Sequence, residues 1–190
     1  MSPTLARRQP AAPHGFSLVE CLMVVAVLAT LCASSLPTFA AISANSRARS
    51  TNEALIASLN LARNAAVTRG DEVVVCPSTD QTRCDAANWW QHGWIVFQDK
   101  NHNARRDPDE PLFQVEPAHT AIALATSTGR EHVTYRIDGS ATGTNLTFTL
   151  CDARGPAHAS TVVVSNTGRP RRGAPNAAEA NAACAGLAKG

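Results

Sequence analysis

Residues 15–39 read GFSLVECLMVVAVLATLCASSLPTF, and this apolar stretch decides how the whole chain is organised. Its only charged residue is Glu20, and two arginines, Arg7 and Arg8, precede it. A segment of this length and composition is long enough to cross a bilayer as a helix. The two arginines would keep the preceding residues on the cytoplasmic side. The sequence thus predicts two N-terminal segments: a basic leader, 1–15, and a transmembrane helix segment, 16–39.

The glycine at the start of this stretch and the carboxylate inside it are both unusual. An ordinary secretory signal has its small-residue cleavage site after the apolar stretch, whereas Gly15 comes before it. Cleavage at Gly15 would leave the hydrophobic helix on the mature protein. A carboxylate at Glu20 is costly in lipid, so an acid at this position indicates a function. An ordinary cleaved signal and a plain membrane anchor are the alternatives, and neither explains both residues.

The six residues GFSLVE, from Gly15 to Glu20, resemble the processing motif of type IV pilins and their relatives. The resemblance implies that a prepilin peptidase cuts between Gly15 and Phe16 and that Phe16 is then N-methylated. It also implies that segment 16–39 forms the core of a filament, in which Glu20 docks each subunit against the N-terminus of a neighbour. A buried carboxylate is tolerable in that setting because a cationic amine can neutralise it.

Beyond the apolar stretch, the sequence predicts a second, amphipathic half of the same helix over residues 40–69. Four apolar residues at three- and four-residue spacing form a stripe suited to packing on a sheet: Leu55, Leu59, Ala62 and Ala66. Gly70 is expected to end the helix, because glycine commonly follows the last helical residue.

After Gly70 the pattern changes to short runs of β-branched and aromatic residues separated by turn signals. The predicted strands are Glu72–Cys76, Trp94–Gln98, Leu112–Val115, Ala121–Ala125, His132–Ile137, Leu146–Cys151 and Thr161–Ser165. A helix followed by consecutive strands indicates an α+β fold, in which the long N-terminal helix packs on a mostly antiparallel β-sheet. We assign residues 70–173 to a β-rich head and residues 174–190 to an Ala-rich tail.

Four of the six cysteines lie in polar sequence after the apolar segment: Cys76, Cys84, Cys151 and Cys184. This placement indicates two disulfides in an oxidising compartment. Sequence alone allows three pairings. We favour a local Cys76–Cys84 bridge and a Cys151–Cys184 bridge that ties the tail to a core strand. A zinc site is the alternative, although the C-x2-C spacing typical of zinc ligands is missing.

The basic character of the chain is concentrated at its C-terminus. Residues 153–190 carry five Lys and Arg against one acid, whereas the whole chain has a formal net charge of +2. Three of the five, Arg169, Arg171 and Arg172, lie in the sequence TGRPRRG. The proline favours extended backbone, which would place Arg169 and Arg171 on the same side. Guanidinium groups suit phosphate because their planar fork donates two hydrogen bonds. The alternatives are a solvated basic loop and ion pairs with the acidic loop 99–110.

Four later segments resemble the FimT/GspH family, which contains minor pilins of type IV pili and pseudopilins of type II secretion: NLAR at 60–63, WQHGWIVF at 90–97, the loop 99–110 and GRPR at 168–171. In some FimT-type minor pilins a Gly-Arg-x-Arg motif binds DNA during natural transformation. The resemblance therefore implies that Gly168, Arg169 and Arg171 form a DNA-binding motif, with Arg172 as an added candidate. Because no aromatic residue is interleaved, we expect contact with the sugar–phosphate backbone, independent of base sequence.

The residues and the resemblance together predict a minor pilin of a type IV pilus that binds DNA for uptake. Its partners would be prepilin peptidase, the major and other minor pilins, and DNA. It would be a single-pass inner-membrane protein with a periplasmic head, and would reach the pilus or cell surface after assembly. The alternatives are a minor pseudopilin of a type II secretion system and a minor pilin that primes pilus assembly without binding DNA.

No catalytic residue, cofactor or metal site is predicted. The chain has no nucleophile elbow, phosphate-binding loop or dinucleotide fingerprint, and its six histidines show no metal-ligand spacing. The loop from Asp99 to Glu110 has acidic and amide groups at the positions of a calcium loop. However, Ala104 replaces the usual glycine, and Arg106 adds a positive charge. We expect a polar hairpin loop here and leave calcium binding open.

Overall fold

The computed structural model describes residue 15, residues 17–85, residue 88, residues 90–127 and residues 129–189. The chain divides into two compact units, Met1–Ala40 and Ala41–Gly190. The helices and strands are α1 (Leu18–Arg69), β1 (Glu72–Pro77), β2 (Trp94–Asp99), β3 (Leu112–Glu116), β4 (Ile122–Thr126), β5 (Val133–Tyr135), β6 (Leu146–Asp152), β7 (Ser160–Val164), β8 (Pro170–Gly173) and α2 (Ala177–Cys184). Three short 3-10 helices cover Trp90–His92, Pro156–His158 and Ala185–Lys189.

The C-terminal part of α1 has the buried stripe and the end that the sequence predicts. The side chains of Leu55, Leu59, Ala62 and Ala66 are all fully buried. The helix ends at Gly70, which has a φ of 69° and donates its N–H to the Ala66 carbonyl at 3.0 Å. A left-handed residue at this point is favourable for glycine, which has no Cβ to clash with the backbone. Both predictions are confirmed.

The head contains two four-stranded antiparallel sheets. One has the strand order β3-β2-β1-β5, and the other has the order β4-β6-β7-β8. All the pairings are antiparallel, so the predicted α+β fold with a mostly antiparallel head is confirmed. Each of the seven predicted strands overlaps one of the strands β1 to β7. The division into two sheets and the additional strand β8 were not predicted.

The stripe of α1 packs into a core that both sheets share. Leu55 and Leu59 belong to one buried cluster with β1, β2, β4, β5, β6 and β7 residues, among them Val73, Phe148 and Val162. Full burial of one such side chain stabilises the fold by about 1.5–3 kcal/mol. A polar contact lies at its centre, where the indole N–H of Trp94 donates to the Ser58 hydroxyl at 2.9 Å. Helix and sheets therefore share one large hydrophobic core in the head, and Val74, Cys76, Ile95 and Phe97 of β1 and β2 form a second, smaller buried cluster.

The two disulfides fix segments outside this core. The structure contains Cys76–Cys84 and Cys151–Cys184, the pairing that we favoured from the sequence. The second bridge holds the end of α2 against β6. The helix begins with a capping box, in which the Asn176 side chain accepts the Glu179 N–H and the Glu179 carboxylate accepts the Asn176 N–H. The Ala-rich tail thus contains a capped helix anchored by a disulfide.

Candidate functional site

The basic motif lies on and just before the edge strand β8. Arg171 pairs with Val163 of β7, and Arg172 pairs with Val162. Successive residues of a strand point to opposite faces, so Arg171 and Arg172 leave β8 on opposite sides. Both side chains are exposed, as is Arg169. The strand therefore separates the three arginines into two groups.

Gly168 sets the turn that leads into this strand. It has a φ of 75°, and its N–H donates to the Ser165 carbonyl at 2.8 Å. A Cβ built at this position would lie 2.0 Å from the Gly139 carbonyl oxygen, on a neighbouring turn. Only glycine can adopt this left-handed conformation and also leave room for the two turns to touch this closely. The glycine of the motif thus positions the arginines and offers no side chain for a ligand.

A polar groove of about 540 Å³ opens beside these two turns. Residues from α1, from the turn before Ala141 and from the β7–β8 connection line it: Arg63, Asp138, Ser140, Ser165, Thr167, Arg169 and Arg171. We call it the arginine groove. The side chains of Ser165 and Thr167 share a hydrogen bond of 2.9 Å, and no aromatic residue is among these lining residues. The groove combines guanidinium and hydroxyl groups, which are hydrogen-bond donors suited to an anion.

The three arginines of the motif differ in their partners. Arg172 forms an ion pair with Glu53 of α1 and does not line the arginine groove. In the part of the chain that the structure describes, neither Arg169 nor Arg171 forms an ion pair. The alternative that the motif pairs with the acidic loop 99–110 is therefore wrong. Arg169 and Arg171 are placed on the same side, as the extended backbone predicts, and they are available to a ligand.

One carboxylate, Asp138, opposes this positive charge. Its Oδ1 accepts the Ser140 N–H at 2.8 Å, and this bond holds the pKa of the Asp138 carboxyl below its usual value. Asp138 is therefore ionised at neutral pH. A negative charge in the groove weakens the attraction for an anion, so the groove is less positive than its three arginines suggest.

The acidic loop between β2 and β3 is stabilised by its own carboxylates. Buried Asp99 accepts the N–H groups of Asn103 and Ala104 at 3.1 and 2.8 Å, and buried Glu110 accepts two further loop N–H groups at 2.9 Å. Ala104 has a φ of 57° where a calcium loop has glycine. Among the described residues, no group of three or more His, Cys, Asp and Glu side chains is placed to hold a metal ion. The loop is a polar hairpin connection in which carboxylates replace regular backbone pairing.

A second groove, of about 630 Å³, lies next to this loop and the Cys76–Cys84 bridge. Its charged residues have both signs: Arg83, Asp85, Arg105, Arg106, Asp107 and Glu131. Arg83 pairs with Asp80, and Arg106 donates to two backbone carbonyls. These partners neutralise or occupy the guanidinium groups, so this groove is a weaker anion site than the arginine groove.

The predicted processing and docking residues belong to the other compact unit. Gly15 is exposed, Glu20 is exposed in the first turn of α1, and Phe16 lies outside the described residues. In the described part of the chain, no helix combines the length and the hydropathy that a membrane span requires. The structure thus leaves the processing site, the membrane segment and the docking role as proposals.

From the sequence, only two of the seven residues that line the arginine groove are predicted contacts, Arg169 and Arg171. Arg63 is predicted only as part of a helical segment that resembles the family. The four other lining residues have no predicted role in binding: Asp138, Ser140, Ser165 and Thr167. The segment NLAR is the signal in the sequence for Arg63, which follows Ala62 of the apolar stripe and lies beside the stripe instead of in it.

Two solved structures are among those that match this chain. The type IV minor pilin FimU of Pseudomonas aeruginosa has a TM-score of 0.53 and 18% identity, and the match covers 72% of this chain and 98% of FimU. The minor pseudopilin EpsH of the Vibrio cholerae type II secretion system has a TM-score of 0.49 and 15% identity, over 68% of this chain and 98% of EpsH. No curated protein sequence matches the chain significantly.

At such low identity, the likeness to FimU concerns the fold, an N-terminal helix packed on antiparallel sheets. The family model described as "Type II transport protein GspH" matches residues 51–168, which include the last third of α1, strands β1 to β7 and Gly168 of the basic motif. Because this match spans more than half of the sequence, the chain belongs to the GspH family of pilin-like proteins.

Proposed function

We propose that this chain is a minor pilin of a type IV pilus that binds DNA through Arg169 and Arg171 for uptake in natural transformation. The observation that carries the proposal is the pair of exposed arginines that share one groove without ion-pair partners among the described residues. Guanidinium groups remain charged at any physiological pH and bind phosphate oxygens in pairs of hydrogen bonds. No aromatic residue is among the described residues that line the groove, so the groove favours the phosphate backbone over stacked bases.

The remaining parts of this proposal concern the N-terminus. Prepilin peptidase cuts between Gly15 and Phe16, Phe16 is N-methylated, and Glu20 pairs with the N-terminus of a neighbouring subunit. Residues 16–39 anchor the chain in the inner membrane before assembly and form the filament core afterwards. The motif GFSLVE supports each step, because it combines a small residue before the apolar stretch with an acid inside it.

The domain division follows from the same proposal. Residues 1–15 are the leader that is removed, residues 40–69 are the helix half that packs on the sheets, and residues 70–173 are the head. Residues 174–190 are the tail, which α2 and the Cys151–Cys184 bridge hold against the head. The head and tail are periplasmic before assembly and exposed on the pilus afterwards.

A minor pseudopilin of type II secretion is the second candidate. The observation that favours it is the family model itself, which is described as a type II transport protein. In that case the head would contact other pseudopilins or secreted substrates, and the arginine groove would have no DNA ligand. Neighbouring genes separate the two candidates, since one role requires pilus assembly genes and the other requires secretion genes.

DNA binding can be tested with the full-length chain in a non-ionic detergent. We expect a labelled DNA duplex to bind with an affinity that falls with salt on a log–log slope of about −1.8 or steeper, since each phosphate contact contributes about 0.9. The double variant Arg169→Ala/Arg171→Ala should lose this binding. The matched control Arg83→Ala/Arg105→Ala removes the same charge from the second groove and should bind like the wild type. Equal binding by both double variants, or none by the wild type, would favour the secretion role.

A further inference from the structure

We propose that Arg63 of α1 is a third phosphate contact of the arginine groove and that Arg172 is not a contact. This inference rests on the proposed function, because it names the residues that hold the DNA phosphate at the same site. It places the contact between two elements, the helix α1 and the strand β8, instead of along the basic sequence motif. The ligand class is a phosphodiester of the DNA backbone.

Arg63 is held in position by the turn that touches Gly168. Its Nε donates to the Gly139 carbonyl oxygen at 3.0 Å, and its side chain is partly buried. A Cβ at Gly139 would lie 3.2 Å from that Nε and 3.1 Å from Val67 Cγ2, so the glycine leaves space for the arginine to lie along the turn. One end of the guanidinium group is thus fixed. A group that is already ordered loses less conformational entropy when it binds a ligand.

The terminal nitrogens of Arg63 remain available for a ligand. Within the described residues, no hydrogen bond or ion pair involves its Nη1 or Nη2, although the residue lines the groove together with Arg169 and Arg171. Three guanidinium groups therefore surround one cavity. The hydroxyl groups of Ser165 and Thr167 lie in the same lining and add neutral hydrogen-bond acceptors and donors.

Arg172 has the opposite arrangement. It leaves β8 on the other side from Arg171 and pairs with Glu53 of α1. A phosphate that bound Arg172 would have to compete with this carboxylate, whose charge also repels the phosphate. The arginine nearest to the motif in sequence is therefore a poorer contact than Arg63, which is distant in sequence but lies in the groove.

Salt titration separates a phosphate contact from a structural role, because the slope counts neutralised phosphates. Three contacts predict a slope of about −2.7 for the full-length wild type with duplex DNA. Arg63→Gln should reduce the steepness by about 0.9 and weaken binding about eightfold at 0.1 M salt, which is the effect of one contact. Arg172→Gln is the matched control, because it removes one arginine that also lies between β8 and α1. We expect this variant to keep the slope of the wild type.

A second variant tests the same groove without touching an arginine. Asp138→Asn removes the opposing charge but keeps an oxygen that can accept the Ser140 N–H, so the turn is retained. It should raise DNA affinity severalfold in the wild type and in Arg172→Gln alike. Thermal unfolding of each variant checks that the fold is intact, and Arg63→Lys replaces Arg63→Gln if the latter unfolds. The lysine variant should keep the slope but bind more weakly, because it lacks the guanidinium fork.

The outcomes distinguish this inference from the proposed function. If Arg169→Gln/Arg171→Gln abolishes binding while Arg63→Gln keeps the slope and affinity of the wild type, Arg63 is not a contact and the inference fails alone. Equal losses for Arg63→Gln and Arg172→Gln would also overturn it, because they would indicate a diffuse charge effect. If the Arg169/Arg171 variant binds like the wild type, the proposed function itself is wrong.

Discussion

Replacement of the motif glycine, Gly168, by alanine should displace the two turns beside the arginine groove. Gly168 has a φ of 75°, and an added Cβ would lie 2.0 Å from the Gly139 carbonyl oxygen and 3.1 Å from Tyr135 Cε1. Carbon and oxygen atoms on neighbouring backbones are normally about 3.3 Å apart or more. The Gly168→Ala variant must therefore separate the two turns by more than about 1 Å, and both turns line or support the arginine groove.

The cost has two parts that a control variant can separate. A left-handed conformation costs a non-glycine residue about 1–2 kcal/mol, and overpacking a well-packed site costs about 1–3 kcal/mol. Gly70 has nearly the same conformation, with a φ of 69°, but a Cβ added there would meet nothing within 4 Å. Gly70→Ala should thus show the first cost alone. We expect a loss of about 3 kcal/mol for Gly168→Ala and about 1 kcal/mol for Gly70→Ala.

Thermal unfolding of the compact unit Ala41–Gly190, followed by circular dichroism, measures both costs. For a domain of this size, about 1 kcal/mol lowers the Tm by about 2–4 °C. Gly168→Ala should then lower the Tm by about 6–12 °C, and Gly70→Ala by about 2–4 °C. Similar Tm values for the two variants would refute the close contact between the turns. An unchanged DNA affinity for Gly168→Ala at a temperature where it is folded would refute its effect on the groove.

Three further predictions concern the stability of the head. Replacing Cys151 and Cys184 together by serine should free α2 and lower the unfolding free energy by about 4 kcal/mol, because the bridge closes a loop with a sequence separation of 33. Hydrogen exchange in α2 that matches the wild type would contradict this. Ser58→Ala should cost about 1–3 kcal/mol because it leaves the buried Trp94 indole N–H without its acceptor, and a urea midpoint equal to that of the wild type would count against this role. Burial lowers the pKa of His119, and this effect is larger than the increase caused by the neighbouring carboxylate of Glu116. As the pH falls, the His119 side chain therefore becomes protonated in the unfolded state before it does so in the folded state. The free energy of unfolding should therefore decrease from pH 7 to pH 5, and the decrease should be smaller in His119→Gln. The same pH dependence of unfolding in the variant and the wild type would contradict this assignment.

The sequence predicts the parts of the fold that depend on local patterns. The stripe from Leu55 to Ala66 follows from spacing along one helix, and β1 to β7 follow from runs of β-branched and aromatic residues. Strand β8, with the sequence PRRG, has no such pattern and becomes a strand because it pairs with β7. Helix α2 could have been predicted, because Asn176 and Glu179 have the spacing of a capping box. Its alanine-rich composition instead suggested a tail.

The candidate site was only partly predictable for a different reason. Arg169 and Arg171 stand in a recognisable motif, whereas Arg63 joins them only after α1 packs beside the β7–β8 connection. The pairing of Arg172 with Glu53 also depends on this packing. No local pattern reports which of several arginines will meet a carboxylate and which will share a groove. Residues brought together from distant parts of the chain require the structure.

DNA phosphates should contact the arginine groove, and nuclear magnetic resonance of the arginine side chains detects such contacts residue by residue. The Nε–Hε signals of the compact unit Ala41–Gly190 would be followed during titration with a short DNA duplex at low salt. We expect the signals of Arg169 and Arg171 to shift first and saturate together, while those of Arg83 and Arg105 in the second groove stay in place. Shifts confined to the second groove, or no shift at any arginine, would contradict this expectation.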